Sequence, residues 1–232
     1  MKVYLEKMSK TLDKLKFESD ARKIYQKYRS YTMIDEGAFI QNLSLVEKWQ
    51  KMEGAVVECG VWRGGMSAGM AELLGPNRHY FLFDSFEGLP PAKEIDGPGA
   101  NAWQTNTQSP MYFNNCTAEM DFAVKAMKMA TNGKLDNVKI IKGWFKDTLV
   151  PINLPEKICI LRLDADWYDS TKECLSSLFN LVIDGGLILF DDYYTWDGCS
   201  RAVHDFLSDQ KRTERIYQWP NSNLAYLKKF AG

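Results

Sequence analysis

Two short stretches of the sequence each end an apolar run in closely spaced aspartates. "LRLDADWYDST" (residues 161–171) carries Asp164 and Asp166 after its run, and "GGLILFDDYY" (residues 185–194) carries Asp191 and Asp192 after its own. Short apolar runs of this kind predict buried strands. The segment between the two runs is long enough for one helix, so the pattern predicts two successive strands of a parallel sheet with carboxylates at one edge.

The alternation of strand and helix patterns continues on both sides of these stretches. Near-continuous apolar strands separated by helical segments are typical of parallel strands buried on both faces. We therefore predict an α/β fold with a mostly parallel sheet and helices on both faces. Its strands are predicted at residues 55–60, 79–84, 138–143, 157–164 and 186–191, followed by "RIYQW" and "NLAYLKK" as an antiparallel pair.

The chain before the first strand has a different pattern. Apolar residues recur at roughly helical spacing over residues 1–52, with a break at residues 32–39. We predict a helical N-terminal extension at residues 1–52, which acts as a lid, and a catalytic domain at residues 53–232.

A second irregular segment interrupts the strand and helix alternation. Residues 85–115 hold four of the eight prolines and show little periodicity. Long segments of this kind in compact domains are usually functional, so we predict an irregular loop that closes over the site. Its apolar residues Trp103, Met111, Tyr112 and Phe113 are candidates for contacting a small molecule that accepts a transferred group. The helix that follows is predicted over residues 117–130, with Thr117 as its N-cap.

Composition excludes several classes of function. The 232 residues carry 29 basic and 30 acidic side chains, so no basic excess points to nucleic acid or to a membrane surface. An odd count of five cysteines without a CxxC pair, and only two histidines, argues against a disulfide framework or a zinc site. No signal peptide or membrane span is predicted. We expect a cytoplasmic enzyme that binds a small molecule, with a homodimer among the expected assemblies.

The first strand ends in a glycine-rich turn, "ECGVWRGGMS". Glycines at Gly60, Gly64 and Gly65 allow a tight turn and a close approach of a ligand to the next helix N-terminus. The spacing is not GxGxxG, and a plain strand–helix turn is the alternative. Asp84, which ends the second strand, is placed to accept hydrogen bonds from ribose hydroxyls. Together these features favour an adenosine-containing ligand.

The aspartates of the two opening stretches form an all-oxygen donor set. Asp164, Asp191 and Asp192 at neighbouring strand ends suit Mg²⁺, which prefers carboxylate ligands. The alternative is that some of these residues cap the next helix, a role for which Asp169 and Ser170 also compete. A carboxylate beside the metal, Asp164 or Asp166, is the candidate general base.

These motifs together resemble the macrocin O-methyltransferase family of S-adenosylmethionine-dependent enzymes. The matching stretches are "VECGVWRGG", "FDSFEGLP", "IKGWFKDTL", "LRLDADWYDST" and "LFDDYYTWDGCSRAVHDF". The match runs from about residue 32 to the C-terminus and is loose in the first helices. Two departures are His204, where the family usually has an acidic residue, and the lack of an expected serine near Asn115 and Cys116.

The resemblance implies a class I methyltransferase (Rossmann-like) fold with Mg²⁺-dependent methyl transfer to a hydroxyl, often on a sugar of a natural product. It implies that Asp164, Asp191 and Asp192 hold the metal. It also implies a set of cofactor-binding residues, with residues 143–145 beside the adenine: Glu58, Cys59, Gly60, Val61, Gly64, Ser67, Asp84, Ser85, Gly143, Trp144, Phe145 and Asp164.

Three other functions account for parts of the same residue pattern. A metal-dependent glycosyltransferase would use the Asp164-Ala165-Asp166 motif to hold a sugar diphosphate, but it leaves Asp191 and Asp192 unexplained. An NAD-dependent oxidoreductase would explain Asp84 but needs no carboxylate cluster. A non-catalytic binding protein predicts that the carboxylates can be replaced without cost.

Overall fold

The computed structural model describes residues 2–149 and 152–230, which form a seven-stranded sheet flanked by helices. The strand order is β3-β2-β1-β4-β5-β7-β6. The strands are β1 Ala55–Cys59, β2 Tyr80–Asp84, β3 Val138–Lys142, β4 Ile158–Leu163, β5 Val182–Phe190, β6 Tyr217–Gln218 and β7 Ala225–Lys228. The helices are α1 Lys2–Tyr28, α2 Glu36–Val46, α3 Gly65–Leu74, α4 Gly97–Thr105, α5 Met120–Ala130, α6 Phe145–Thr148, α7 Tyr168–Leu178 and α8 Asp197–Asp209.

The sheet confirms the predicted topology. Strands β1 to β5 are mutually parallel, and β4 lies between β1 and β5, as the βαβ pattern requires. Strand β7 is antiparallel to both β5 and β6, which confirms the antiparallel pair at the end of the chain. Every residue of β1 and β4 is buried, including the charged residues Glu58 and Arg162 within these otherwise apolar strands.

Strand β5 begins earlier than predicted, at Val182 rather than at residue 186. Its pairing with β4 moves from Ile158–Val182 to Ile160–Leu187, so β5 contains extra residues at an irregularity. Gly185 has a φ of +80° there. Gly185 and Gly186 therefore form a bulge within one continuous strand.

The N-terminal helices pack directly on the helix that follows β1. A Cβ at Gly69 of α3 would lie 2.5 Å from the Phe39 ring of α2, and one at Gly65 would lie 2.5 Å from the Tyr31 carbonyl oxygen. Asp35 caps α2 through a 3.0 Å bond from the Ala38 N–H. Buried side chains of α1 and α2 belong to the same core as side chains of β1 and β2. The helical extension therefore shares its core with the sheet.

Two predictions about the segment between β2 and β3 were wrong. Residues 85–115 are not an irregular loop, because Gly97–Thr105 forms helix α4 with Pro98 in its first turn. Proline is tolerated at that place because the first N–H groups of a helix lack internal partners. The next helix begins at Met120, its N-cap is Glu119, and no side chain caps it. The Thr117 hydroxyl instead donates to the Glu87 carbonyl oxygen at 3.5 Å.

Among the described residues, no helix combines the length and the apolar composition that a membrane crossing requires.

The contact between Gly69 and Phe39 gives a test of this packing. Gly69→Ala should destabilise the protein by about 1–3 kcal/mol through overpacking, although alanine is intrinsically the better helix former. Thermal and urea unfolding of Gly69→Ala, Phe39→Leu and the double variant would measure the coupling. A smaller cost of Gly69→Ala in the Phe39→Leu background is expected. Additive costs would show that the two residues do not limit the approach of α2 to α3.

Candidate active site

The carboxyl ends of four parallel strands bring the acidic residues to one edge of the sheet. Glu58 lies in β1, Asp84 ends β2, and the two aspartate pairs follow β4 and β5. Two cavities of about 520 and 700 Å³ open at this edge, and Gly60, Asp84 and Asp164 line both of them. Open α/β sheets bind ligands at this edge.

The glycine turn after β1 is shaped by Asp84. One oxygen of its carboxylate accepts the backbone N–H groups of Val61 and Trp62 at 2.7 and 2.8 Å, and the other accepts the N–H of Phe86 at 2.6 Å. Burial raises the pKa of the Asp84 carboxyl, and these three backbone bonds oppose the shift. Asp84 thus holds the turn open toward both cavities. Its predicted contact with ribose stays a prediction.

Gly60 is required by the approach of β1 to the end of β4. Its φ is +84°, and a Cβ there would lie 1.7 Å from the Asp164 carbonyl oxygen. The Asp164 N–H also donates to the Cys59 carbonyl oxygen at 2.9 Å, so the backbones of the two strand ends are in direct contact. A side chain at position 60 would therefore separate the glycine turn from the first aspartate.

A buried arginine, which the sequence analysis did not identify, lies behind the acidic edge. The Arg162 side chain of β4 is fully buried, and its Nη1 lies 2.6 Å from Glu58 and 2.8 Å from Asp164. Its Nη2 lies 2.6 Å from Asp191. Its Nε donates to the Asn42 side chain of α2 at 3.1 Å. The available signal was a charged residue within an otherwise apolar strand, "ILRL".

Three of the four aspartates lie in one cluster, which Asp191 does not join. Carboxylate oxygens of Asp164, Asp166 and Asp192 all lie within 4.8 Å of one another, whereas Asp191 forms an ion pair with Arg162. The structure thus brings together two of the three predicted metal ligands, and Asp166 joins them in place of Asp191. Both Asp191 and Asp166 line the smaller cavity.

Burial and mutual repulsion raise the pKa values of these carboxyls. Burial raises the pKa of Asp164 to about 6 against the attraction of Arg162. Burial, and then the charge of Asp164, raise the pKa of Asp166 to about 8. The pKa of Asp192 is raised well above its usual range by burial and by the neighbouring aspartates. Burial also raises the pKa of Glu58 to about 7, although Arg162 and Ser67 bond to it.

This donor set fits a hard divalent cation. The three clustered groups supply carboxylate oxygens, which Mg²⁺ prefers, and no histidine or cysteine lies in the cluster of described residues. Arg162 contacts Asp164 but makes no ion pair with Asp166 or Asp192. Repulsion among Asp164, Asp166 and Asp192 is therefore only partly offset by the protein, and a divalent cation would offset the rest.

The residues predicted to bind the cofactor occupy three positions. Glu58 and Val61 line the smaller cavity, and Ser85 and residues 143–145 line the larger one. Cys59, Gly64 and Ser67 are buried behind the turn. Gly143 is held at the end of β2 by a 2.9 Å bond from its N–H to the Asp84 carbonyl oxygen.

The outer wall of the smaller cavity comes from two separate segments. Residues 31–35, between α1 and α2, form one side, and Trp103, Met111 and Phe113 form another. Met111 and Phe113 are 61% and 38% exposed, so their apolar surfaces are free to contact a ligand in this cavity. The fourth predicted acceptor contact, Tyr112, packs on Trp103 instead. Trp196 also lines this cavity; the sequence analysis did not single it out, although it lies within the matching stretch "LFDDYYTWDGCSRAVHDF".

Other singled-out residues lie outside the chemistry. Trp167 is buried, and the exposed His204 bonds to the Tyr193 hydroxyl at 2.8 Å. Neither Asp169 nor Ser170 caps α7. Asp96, from the segment before α4, accepts the Tyr168 N–H at 2.7 Å and satisfies the first turn of that helix.

The strand order and the site at this sheet edge define a class I methyltransferase fold, as predicted. The family profile described as Macrocin-O-methyltransferase (TylF) matches residues 1–228, and the chain belongs to this family. The resemblance drawn from the motifs is thereby confirmed, and the match extends through the N-terminal helices.

Characterised relatives show moderate identity over part of their length. The 8-demethyl-8-(2,3-dimethoxy-alpha-L-rhamnosyl)-tetracenomycin-C 4'-O-methyltransferase of Streptomyces olivaceus is 35% identical over 66% of this chain and 58% of its own. Mycinamicin III 3''-O-methyltransferase of Micromonospora griseorubida is 32% identical over 66% of this chain and 60% of its own. The matched region thus spans less than two thirds of these relatives. The solved structure of the O-methyltransferase NovP has a TM-score of 0.71 at 24% identity and covers 87% of this chain and 83% of that one.

The ion pairs of Arg162 predict a large cost for its removal. Arg162→Met should lower the free energy of unfolding by about 3–5 kcal/mol, because buried carboxylates lose their counter-charge. The same substitution in a Glu58→Gln background should cost less, since one of the carboxylates is then neutral. Urea unfolding at pH 7.5 would measure both differences. An Arg162→Met variant as stable as wild type would show that the carboxylates do not depend on this cation.

The raised pKa values predict a pH dependence for the protein in chelator-treated buffer. Groups with raised folded-state pKa values bind protons in the folded chain that the unfolded chain has released, so stability falls as pH rises through this window. Because the pKa of Asp166 is raised to about 8, the fall in stability extends from about pH 4 to pH 8. Asp166→Asn should therefore melt at the wild-type temperature near pH 4 and on the order of 5 °C higher at pH 8. A difference between the two proteins that is constant with pH would contradict this assignment.

Proposed function

We propose that this protein is an S-adenosylmethionine- and Mg²⁺-dependent O-methyltransferase that acts on a hydroxyl of a small molecule, a sugar moiety of a natural product. One observation carries the proposal: a glycine turn suited to an adenosine ligand and a cluster of carboxylates open into adjoining cavities that meet at Gly60, Asp84 and Asp164. Methyl donor and hydroxyl acceptor would thus meet at the end of β4.

The comparisons support this proposal. Two relatives are named for transfer of methyl groups to oxygen atoms of glycosylated natural products, at the 4' position in one case and the 3'' position in the other. Structures of the same fold carry the cofactor or its product, including an O-methyltransferase from Bacillus cereus in complex with SAH and TomG in complex with SAM.

The larger cavity is the proposed cofactor site. S-adenosylmethionine, when bound, supplies a sulfonium-bound methyl group, and the sulfur keeps the electron pair of the broken bond. Ser85 and residues 143–145 would hold its adenosine part, and the turn at Gly60 would hold the methionine part beside Asp164. The protein contributes mainly position, because the methyl group is already activated.

The smaller cavity is the proposed acceptor site. Asp164 and Asp192 would hold the metal, and Mg²⁺, when bound, orients an acceptor hydroxyl and lowers its pKa. Asp191 remains a predicted third ligand that must be tested against its ion pair with Arg162. Asp166, whose carboxylate lies within 4.8 Å of the other two, would take the hydroxyl proton as the new carbon–oxygen bond forms. Trp103, Met111 and Phe113 would exclude water from the acceptor.

The charge of this cavity disfavours the glycosyltransferase alternative. Seven of its described lining residues are acidic, and none is Lys, Arg or His. A sugar diphosphate needs cationic side chains in addition to a metal, since phosphate oxygens are otherwise repelled by carboxylates. The acidic lining of this cavity is better suited to an uncharged or cationic acceptor.

Paired asparagine variants test the proposal. Asp192→Asn should lower methyl transfer at least 100-fold and weaken Mn²⁺ binding, because a clustered carboxylate is lost. Asp191→Asn should retain more Mn²⁺ binding and lose stability instead, because its partner is Arg162. Release of S-adenosylhomocysteine over a panel of glycosides, with EDTA as a control, measures turnover, and electron paramagnetic resonance measures bound Mn²⁺.

The control variant is Asp209→Asn, since Asp209 is an exposed partner of Lys172, borders neither cavity and should behave as wild type. Wild-type turnover in Asp192→Asn and in EDTA would overturn the metal requirement. Turnover that is confined to thiols or amines would overturn the proposed acceptor class.

A further inference from the structure

Trp196 makes a direct hydrogen bond to the proposed base. Its indole Nε1–H donates to Oδ1 of Asp166 at 3.0 Å. The bond engages one carboxylate oxygen and leaves the other to receive a proton. Trp196 lines the acceptor cavity at the turn between β5 and α8, so it joins the ends of two neighbouring strands.

The backbone of Asp166 is held in a conformation that needs such support. Its φ is +53°, in the left-handed region that side-chain-bearing residues rarely adopt. Conformations of this kind cost about 1–3 kcal/mol and persist where the surroundings hold them, which is common at functional sites. The Asp166 N–H donates to Oδ2 of Asp192 at 3.1 Å. The residue is therefore held through both its backbone and its side chain.

These bonds close a ring between the two strand ends. The Trp196 N–H donates to the Asp192 carbonyl oxygen at 2.9 Å, which fixes the indole relative to Asp192. The indole then fixes the Asp166 carboxylate, and the Asp166 N–H fixes the Asp192 carboxylate. A change at Trp196 would therefore alter the direction of Asp166 and leave Asp164 in place.

The Trp196 ring is itself fixed by two other tryptophans. Its centroid lies 5.3 Å from that of Trp167 and 6.1 Å from that of Trp103, both in edge-to-face geometry. Trp103 belongs to α4, and Trp167 donates its indole N–H to the Pro90 carbonyl oxygen at 2.9 Å. The segment between β2 and α5 thus supports the same indole that bonds to Asp166.

We propose that Trp196 is a positioning residue, which holds Asp166 in the direction needed to accept the acceptor's proton and keeps it from turning toward the metal. This inference rests on the proposed function, because it assigns Asp166 the role of base. It predicts that the loss of the indole N–H harms proton transfer and spares metal binding.

The test compares Trp196→Phe with Trp49→Phe. Phenylalanine keeps an aromatic ring and removes the N–H at both positions, and the Trp49 indole bonds to the Gly185 carbonyl oxygen and borders neither cavity. We expect kcat to fall 10- to 100-fold in Trp196→Phe, with an unchanged KM for S-adenosylmethionine and Mn²⁺ binding at least as tight as wild type. Trp49→Phe should match wild type in all three. A matching melting temperature would exclude unfolding as the cause.

A spectroscopic measurement tests the hydrogen bond between the Trp196 indole and Asp166 in the absence of an acceptor. The Trp196 indole signal in a ¹H–¹⁵N spectrum, assigned by its loss in Trp196→Phe, should move upfield in Asp166→Asn and stay in place in Asp209→Asn. An indole signal unmoved by Asp166→Asn would overturn the inference, as would wild-type kcat in Trp196→Phe. A wild-type protein that methylates no hydroxyl and binds no Mn²⁺ would instead overturn the proposed function, and the inference with it.

Discussion

The buried guanidinium of Arg162 is the interaction on which the acidic edge of the sheet depends. It contacts carboxylates from the ends of β1, β4 and β5 and the side chain of Asn42 in α2. Burying a charge is costly unless it is paired and its donors are bonded. Here the pairing also lets three neighbouring strands end in carboxylates side by side. Arg162 thus fixes the position of the sheet edge and of the helix packed beneath it.

The same guanidinium divides the carboxylates into two kinds. Glu58 and Asp191 form ion pairs with Arg162, whereas Asp166 and Asp192 make no ion pair with a cation among the described residues. Asp164 belongs to both groups, because it contacts Arg162 and lies within 4.8 Å of Asp166 and Asp192. The carboxyls that lack a cationic partner are therefore concentrated on the cavity side of the edge. In the proposed function, this group of carboxyls would retain a divalent cation and would favour an acceptor without phosphate groups.

Much of the fold could be predicted from the sequence, because the strands are largely apolar and are separated by helix-length segments. The strand-end positions of Asp164, Asp191 and Asp192 followed from the same pattern. Two kinds of feature could not be predicted. Helix α4 and the bulge at Gly185 contain glycine and proline at places where the surrounding structure, and not the local sequence, decides whether the chain turns. The exchange of Asp191 for Asp166 in the cluster depends on the reach of Arg162 across β4 and β5, and spacing along one strand carries no information about such a contact.

The N-terminal helices have a closer relation to the site than their position before the first strand suggests. Asn42 bonds to Arg162, the Tyr31 carbonyl oxygen meets Gly65 at the start of α3, and residues 31–35 line the acceptor cavity. A movement of this segment large enough to open the cavity would disturb either the shared core or the bond to the central arginine. The opposite wall is more exposed at Met111 and Phe113, although the Trp103 indole N–H of α4 donates to the Met111 carbonyl oxygen at 2.9 Å. In the proposed function, an acceptor would meet this exposed apolar surface on the α4 side, next to the Trp196 indole that donates to Asp166.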